Sequence, residues 1–178
     1  RRSAPAVPLA RGESVVQLLT FGGPELVSGT LPGRRPLVLA AYLAVEGRQP
    51  RRRLAGLFCD GSRVPLNQLS VTLTRLRRQL RAVGAEGALR ADAASVAVDL
   101  VTDHRRFLDV LELGDLARAV ELHRGPFLAQ AHSGLGEELA AWVVATREAL
   151  IGRLQAAAAA EARRLVAAGR ERAAAARA

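Results

Sequence analysis

The segment Leu66 to Arg81, LNQLSVTLTRLRRQLR, constrains the fold more than any other part of the chain. At about 100° per residue, Leu69, Leu73, Leu76 and Leu80 fall in one stripe, while Asn67, Val71, Thr74, Arg75 and Arg78 fall on the opposite side. The leucine stripe requires a core to cover it. The opposite face combines guanidinium groups, short hydrogen-bonding side chains and a methyl-bearing residue, the set that contacts base edges and phosphates in a DNA major groove. The same set also makes an ordinary solvated helix face, and one helix alone does not separate the two readings.

Charge is concentrated around this helix. From Arg48 to Arg81 there are nine arginines against the single acid Asp60, whereas from Gly84 to Leu150 six arginines face eleven acidic residues. All 26 basic residues are Arg, Ile occurs only at Ile151 and Met is absent, a bias expected of GC-rich coding that makes arginine content weak evidence by itself. The net charge of +9 and the pI of about 11.5 are not explained that way and favour a polyanionic partner, nucleic acid or an anionic membrane surface. The sign reversal after Gly84 implies a basic part that meets the polyanion and a following part that does something else.

Other function classes are poorly supported. Cys59 is the only cysteine, which rules out an internal disulfide and makes a reducing cytoplasm the expected location. His104, His123 and His132 have no ligand-like spacing with one another or with Cys59, so no metal is expected. No apolar run is long enough to span a bilayer, and Arg1 to Ser14 lacks the apolar centre of a signal peptide, so neither a membrane partner nor export is expected. No phosphate-cradling glycine motif, paired carboxylates or nucleophile–histidine signature is present, so neither an enzyme nor a cofactor is expected.

In chain order, Arg1 to Gly12 has no periodicity and is expected to be a tail. Val15 to Phe21 and Glu25 to Ser28 form a small N-terminal sheet around Gly22, Gly23 and Pro24. A helix follows over Leu37 to Val45, stopped by Gly47, and a second over Arg51 to Phe58. Arg51, Arg52 and Arg53 sit at the positive end of that second helix, an unfavourable place for cations unless an anion lies nearby, and are assigned to phosphates. After the third helix, Ala88 to Ala91 and Val96 to Leu100 flank Asp92 to Ser95 as a β-hairpin. Sheet, three helices and hairpin, with the third helix basic and exposed, is the order of a winged helix-turn-helix domain, here over residues 14–100 behind a flexible tail of residues 1–13.

The runs RRPLVLAAYLAV, RRRLAGLF, LNQLSVTLTRLRRQL and RGPFLAQ, with Trp142 and Arg147 beyond them, resemble the SARP-type bacterial transcriptional activators over about Val15 to Gly169. The most specific part is Asn67, Leu69, Val71, Thr74, Arg75, Leu76, Arg77 and Leu80. The resemblance implies an OmpR-type winged helix followed by a tetratricopeptide-like bacterial transcriptional activation domain. It also implies dimers on direct promoter repeats and recruitment of RNA polymerase. The chain departs from the family at Phe58 and Cys59, where a Leu-Trp pair is usual, and in the short Asp60 to Leu66 loop, which contacts polymerase in relatives. It departs again at Asp92 to Ser95, where a Pro-Gly-Tyr tip is usual and where one acid and no arginine predict weak minor-groove contact.

Residues 101–178 are expected to be all helical: Thr102 to Glu112, Asp115 to His123 and a long helix from Gly136 to Ala168 capped by Gly169. Leu139, Trp142, Val143, Leu150, Leu154, Ala158 and Leu165 form its apolar stripe, and Trp142 is expected as a core anchor rather than a ligand platform. So short a set of helical repeats is expected to be part of a longer array in a larger protein. The expected fold is thus an α+β winged helix with a partial all-α tetratricopeptide-like domain. The expected function is sequence-specific binding of double-stranded DNA through Asn67, Ser70, Val71, Thr74, Arg75, Arg77, Arg78 and Arg81, with Arg51, Arg52 and Arg53 on the backbone. A helical interaction module with weak or lost DNA binding is the alternative.

Overall fold

The computed structural model describes residues 17–27, 34–59, 61–129, 131 and 135–175. The expected tail, Ser28, Asp60 and His132 lie outside them. The described residues form an α+β fold of two three-stranded sheets and six α-helices.

Helix α1 (Arg34–Glu46) is buried continuously from Pro36 to Leu43 and serves as the central post of the core. Helices α2 (Arg51–Phe58) and α3 (Pro65–Ala82) pack beside it. Leu54, Leu57 and Phe58 of α2 and all four stripe leucines of α3 are buried in one cluster with the α1 residues. Pro65 opens α3 at a position where its missing N–H costs nothing, and α3 closes on a Schellman turn. There the Ala85 N–H donates to the Leu80 carbonyl (2.8 Å) and the Gly84 N–H to that of Arg81 (3.1 Å), with Gly84 at φ +74°.

Strands β4 (Leu89–Ala91) and β5 (Ser95–Val98) form the expected hairpin in the register Leu89↔Val98 and Ala91↔Val96. A third strand, β3 (Gln49–Pro50), pairs with β5 at Gln49↔Val96 and Pro50↔Ser95 and leads directly into α2. The hairpin is therefore tied to the start of α2. Nothing local marks β3 as a strand, because two residues ending in a proline carry no strand period.

In the other sheet, β1 (Gln17–Leu19) pairs antiparallel with β2 (Glu25–Leu26) and parallel with β6 (Val101–Thr102). The boundary expected between residues 100 and 101 falls immediately before β6, so the first strand of the N-terminal part is bonded to the first residues of the helical part. Thr102 caps α4 (Asp103–Glu112), its Oγ1 accepting from the Arg105 N–H at 3.0 Å. The next residue, Asp103, is fully buried. Its Oδ1 accepts from the Thr20 N–H (2.7 Å), the Thr20 hydroxyl (2.6 Å) and its own neighbour's N–H at His104 (2.9 Å), and its Oδ2 accepts from the Phe21 N–H (3.2 Å). Further along, Phe21 bridges to Phe127, and the Leu128 N–H donates to the Thr20 carbonyl at 2.7 Å.

Helix α5 (Leu116–Leu122) packs against α4, and α6 runs over Glu137–Ala175. This corrects the expected cap at Gly169. Glycine ends a helix when the chain turns there, and here Ala168 and Arg170 on either side are strong helix formers that outweigh its cost of about 1 kcal/mol. The apolar stripe is corrected as well: Leu139, Val143 and Leu150 are buried and Leu154 is half-buried, but Ala158 is exposed and Leu165 is 54% exposed. The far part of α6 has nothing packed over that stripe among the described residues.

All six aromatic side chains take part in ring contacts. Phe58 of α2, Tyr42 of α1, Trp142 of α6 and Phe127 form one run with centroid separations of 5.8, 4.9 and 5.6 Å. Trp142 is the anchor expected, and its Nε1–H donates to the Glu46 carboxylate at 2.7 Å. His104 continues the run, 5.7 Å from Phe127.

Burial pushes the His104 imidazole below its ordinary value. The Asp103 charge opposes the shift, while Arg153 and Arg105 add to it. The unfolded chain therefore takes up this proton more readily than the folded one, so stability is present above the ordinary value of 6.5 and is lost as the pH falls through the folded value. Denaturant titrations from neutral pH downward should show this loss in the wild type. His104→Leu should flatten the same profile, and an unchanged profile would mean that His104 does not drive the loss.

Candidate nucleic-acid interface

Helix α3 is held by its leucine stripe, opened by Pro65 and closed by the Schellman turn at Gly84. Its opposite face is open along its length: Asn67, Ser70, Val71, Thr74, Arg75, Arg78 and Arg81 are exposed, with Val71 at 51%, while Arg77 is half-buried. From Asn67 to Arg78 this face extends about 16 Å along the axis, roughly five base steps of a duplex. The hydroxyls on it are already engaged as donors. Thr74 Oγ1 donates to the Ser70 carbonyl and Ser70 Oγ to the Leu66 carbonyl, each at 2.9 Å. Thr74 Oγ1 remains available outward as an acceptor, beside the methyl groups of Val71 and Thr74, whereas Ser70 Oγ already accepts from Arg51.

The arginines separate into two kinds. Arg75 and Arg78 make no hydrogen bond or ion pair among the described residues, so their guanidinium groups are available to an outside anion or base edge. Arg81 instead pairs with Glu86, which raises the Arg81 pKa and lowers that of Glu86 from their ordinary values. An internal carboxylate thus competes for Arg81.

The three arginines expected to form one phosphate-gripping cluster take three different settings. Arg51 is half-buried. Its backbone N–H donates to the Ala94 carbonyl (2.9 Å), one guanidinium nitrogen donates to the Asp92 carbonyl (3.3 Å) and the other to Ser70 Oγ (3.0 Å). Arg52 is exposed and lines a groove of about 490 Å³ with Ala55, Gly56, Cys59, Ser62 and Leu66, between α2 and the turn into α3. Arg53 lies toward α1 and α6: a hydrogen bond with the Tyr42 hydroxyl raises its pKa, and its guanidinium is 3.5 Å from Glu138 at the start of α6. That ion pair is exposed at both ends, so solvent screens it and it adds little to stability.

The hairpin tip is built around Asp92. Its Oδ1 accepts from the Ala94 and Ser95 N–H groups at 2.8 and 2.7 Å, and these bonds, those of Ser95 and Ala94 first, hold the carboxyl below its ordinary pKa. Sequence reasoning found no arginine in the tip, but the fold brings one there. Arg48, just before β3, donates to Asp92 Oδ2 (3.3 Å) and Ser95 Oγ (3.0 Å). Arg48 belongs to the basic segment, and only the β3–β5 pairing places it at the hairpin.

Among the described residues no group of three or more His, Cys, Asp and Glu side chains is arranged to hold a metal ion, and no helix is long and apolar enough to cross a membrane. No protein-family model matches the chain, and no curated protein or solved structure matches it.

Proposed function

We propose that this chain is a sequence-specific DNA-binding transcriptional regulator, an activator of SARP type. On this reading residues up to about 100 work as a winged helix with α3 in the major groove, and the α4–α6 region is a tetratricopeptide-like interaction segment that contacts RNA polymerase. The observation that carries the proposal is the grouping of two arginines without partners among the described residues, Arg75 and Arg78, with Asn67, Val71 and Thr74 on the exposed face of a helix fixed by its other side. The tied hairpin beside α2 supports it, because it extends the same surface and brings Arg48 to its tip. Among the described residues neither Arg75 nor Arg78 pairs with a carboxylate, in contrast to Arg81. Such a regulator needs no catalysis and works in the cytoplasm, as a dimer on DNA repeats.

Electrophoretic mobility shift with the promoter region upstream of the protein's own gene, against a shuffled duplex of equal length, tests this. Preferential retardation of the promoter fragment at 150 mM salt is expected. Equal, weak and wholly salt-suppressed binding of both duplexes would remove sequence reading from the proposal.

One observation favours the second reading, a helical protein-interaction module with weak or lost DNA binding. Leu165 and Val166 are each 54% exposed on the far part of α6, an apolar surface of the kind that binds other proteins. Under that reading the same mobility shift shows no DNA complex at all.

A further inference from the structure

Arg51 links the hairpin to α3 across the candidate interface. Its main chain follows directly from β3, which is paired to β5, and its N–H is bonded to the turn of the hairpin at Ala94. Its side chain then divides between two elements: one nitrogen reaches the Asp92 carbonyl in the same turn and the other reaches Ser70 Oγ on α3. Ser70 is itself anchored by its bond to the Leu66 carbonyl one turn earlier. The planar guanidinium thus spans the gap between hairpin and helix with two directed donors, a task for which its fork is suited and a lysine ammonium is not.

We propose that Arg51 is a positioning residue, setting the hairpin against α3 so that both meet one duplex in register, and that it does not grip a phosphate. The proposal rests on the DNA-binding reading above and assigns Arg51 a role different from that of Arg52, which has no such partners among the described residues. Arg51 acts on specificity through geometry. Two of its five guanidinium N–H donors are committed, one to Ser70 Oγ and one to the Asp92 carbonyl, and together they fix the plane and direction of the fork between hairpin and helix.

Three variants, Arg51→Ala, Arg51→Lys and Arg52→Ala, separate the two roles when preferred and random duplexes compete at two salt concentrations. Arg51→Ala is expected to lower the ratio of specific to random affinity by about tenfold while leaving the slope of log affinity against log salt unchanged, since no phosphate contact is lost. Arg51→Lys keeps the charge but cannot hold both acceptors, so it should behave as Arg51→Ala. Arg52→Ala should weaken both duplexes alike and lower the slope by roughly 1.

The opposite pattern overturns the proposal: wild-type behaviour of Arg51→Lys together with a slope reduced by about 1 in Arg51→Ala, the signature of a lost phosphate contact. Circular dichroism melts of each variant establish that it is folded, and Arg51→Lys, which disturbs packing least, carries the test if Arg51→Ala does not fold. Wild-type protein that binds no duplex overturns the DNA-binding reading and this inference together. Sequence-specific wild-type binding with the phosphate pattern overturns the inference alone.

Discussion

Arg75→Ala and Arg78→Ala are each expected to weaken binding to the preferred duplex, and at least one of them by about 5- to 150-fold, the 1–3 kcal/mol associated with a bidentate arginine–guanine contact. Random DNA should lose much less, so the variant becomes less selective as well as weaker. The reason lies in the contrast along α3. Arg81 is answered by Glu86 and Ser70 by Arg51, whereas Arg75 and Arg78 have no answering group among the described residues and stand beside the methyl groups of Val71 and Thr74. Competition titrations with single-base substitutions in the duplex would show at which position the preference disappears. If both variants kept wild-type affinity and selectivity, α3 would be a solvated helix and not a recognition helix.

The largest effect on stability is expected at Asp103. Removing its carboxylate in Asp103→Ala strands the Thr20 N–H and the Phe21 N–H in a fully buried setting, together with the Thr20 hydroxyl. Unsatisfied buried donors cost about 1–3 kcal/mol each, and a total loss of about 3–5 kcal/mol is expected once the site relaxes. That is a large fraction of what holds a domain of this size together. Asp103→Asn retains one acceptor oxygen but sets an amide N–H against a backbone donor, so an intermediate loss is expected. Urea denaturation followed by circular dichroism measures both, and a loss below about 1 kcal/mol in Asp103→Ala would show that β1 is held by its strand pairings alone.

Asp103 and Arg51 illustrate what could not be read from the chain. Asp103 is a first-turn acid of α4, and nothing local marks its second role, because its partners Thr20 and Phe21 lie more than eighty positions away in sequence. Arg51 looked like one of three equivalent cations, and the partners that distinguish it come from α3 and from the hairpin. The same limit hid β6: two residues, the second of them the helix cap, have no period of their own, and their strand character exists only through β1.

What was legible was local. The four leucines of α3 are all buried as their spacing required, α2 occupies the span read from its sequence, and the hairpin lies where alternation in Val96, Ala97 and Val98 placed it. Helix α6 departs from its local signals: Gly169 does not end it, because helix formers stand on either side, and its apolar stripe is covered only as far as Leu154.

By itself the sequence determined the helices, the hairpin and the exposed basic face, because side-chain periodicity and turn residues act over a few positions of chain. Only the tertiary structure decided which arginines remain available to a partner, since a guanidinium is answered or left unanswered by carboxylates, hydroxyls and carbonyls that the fold brings in from elsewhere.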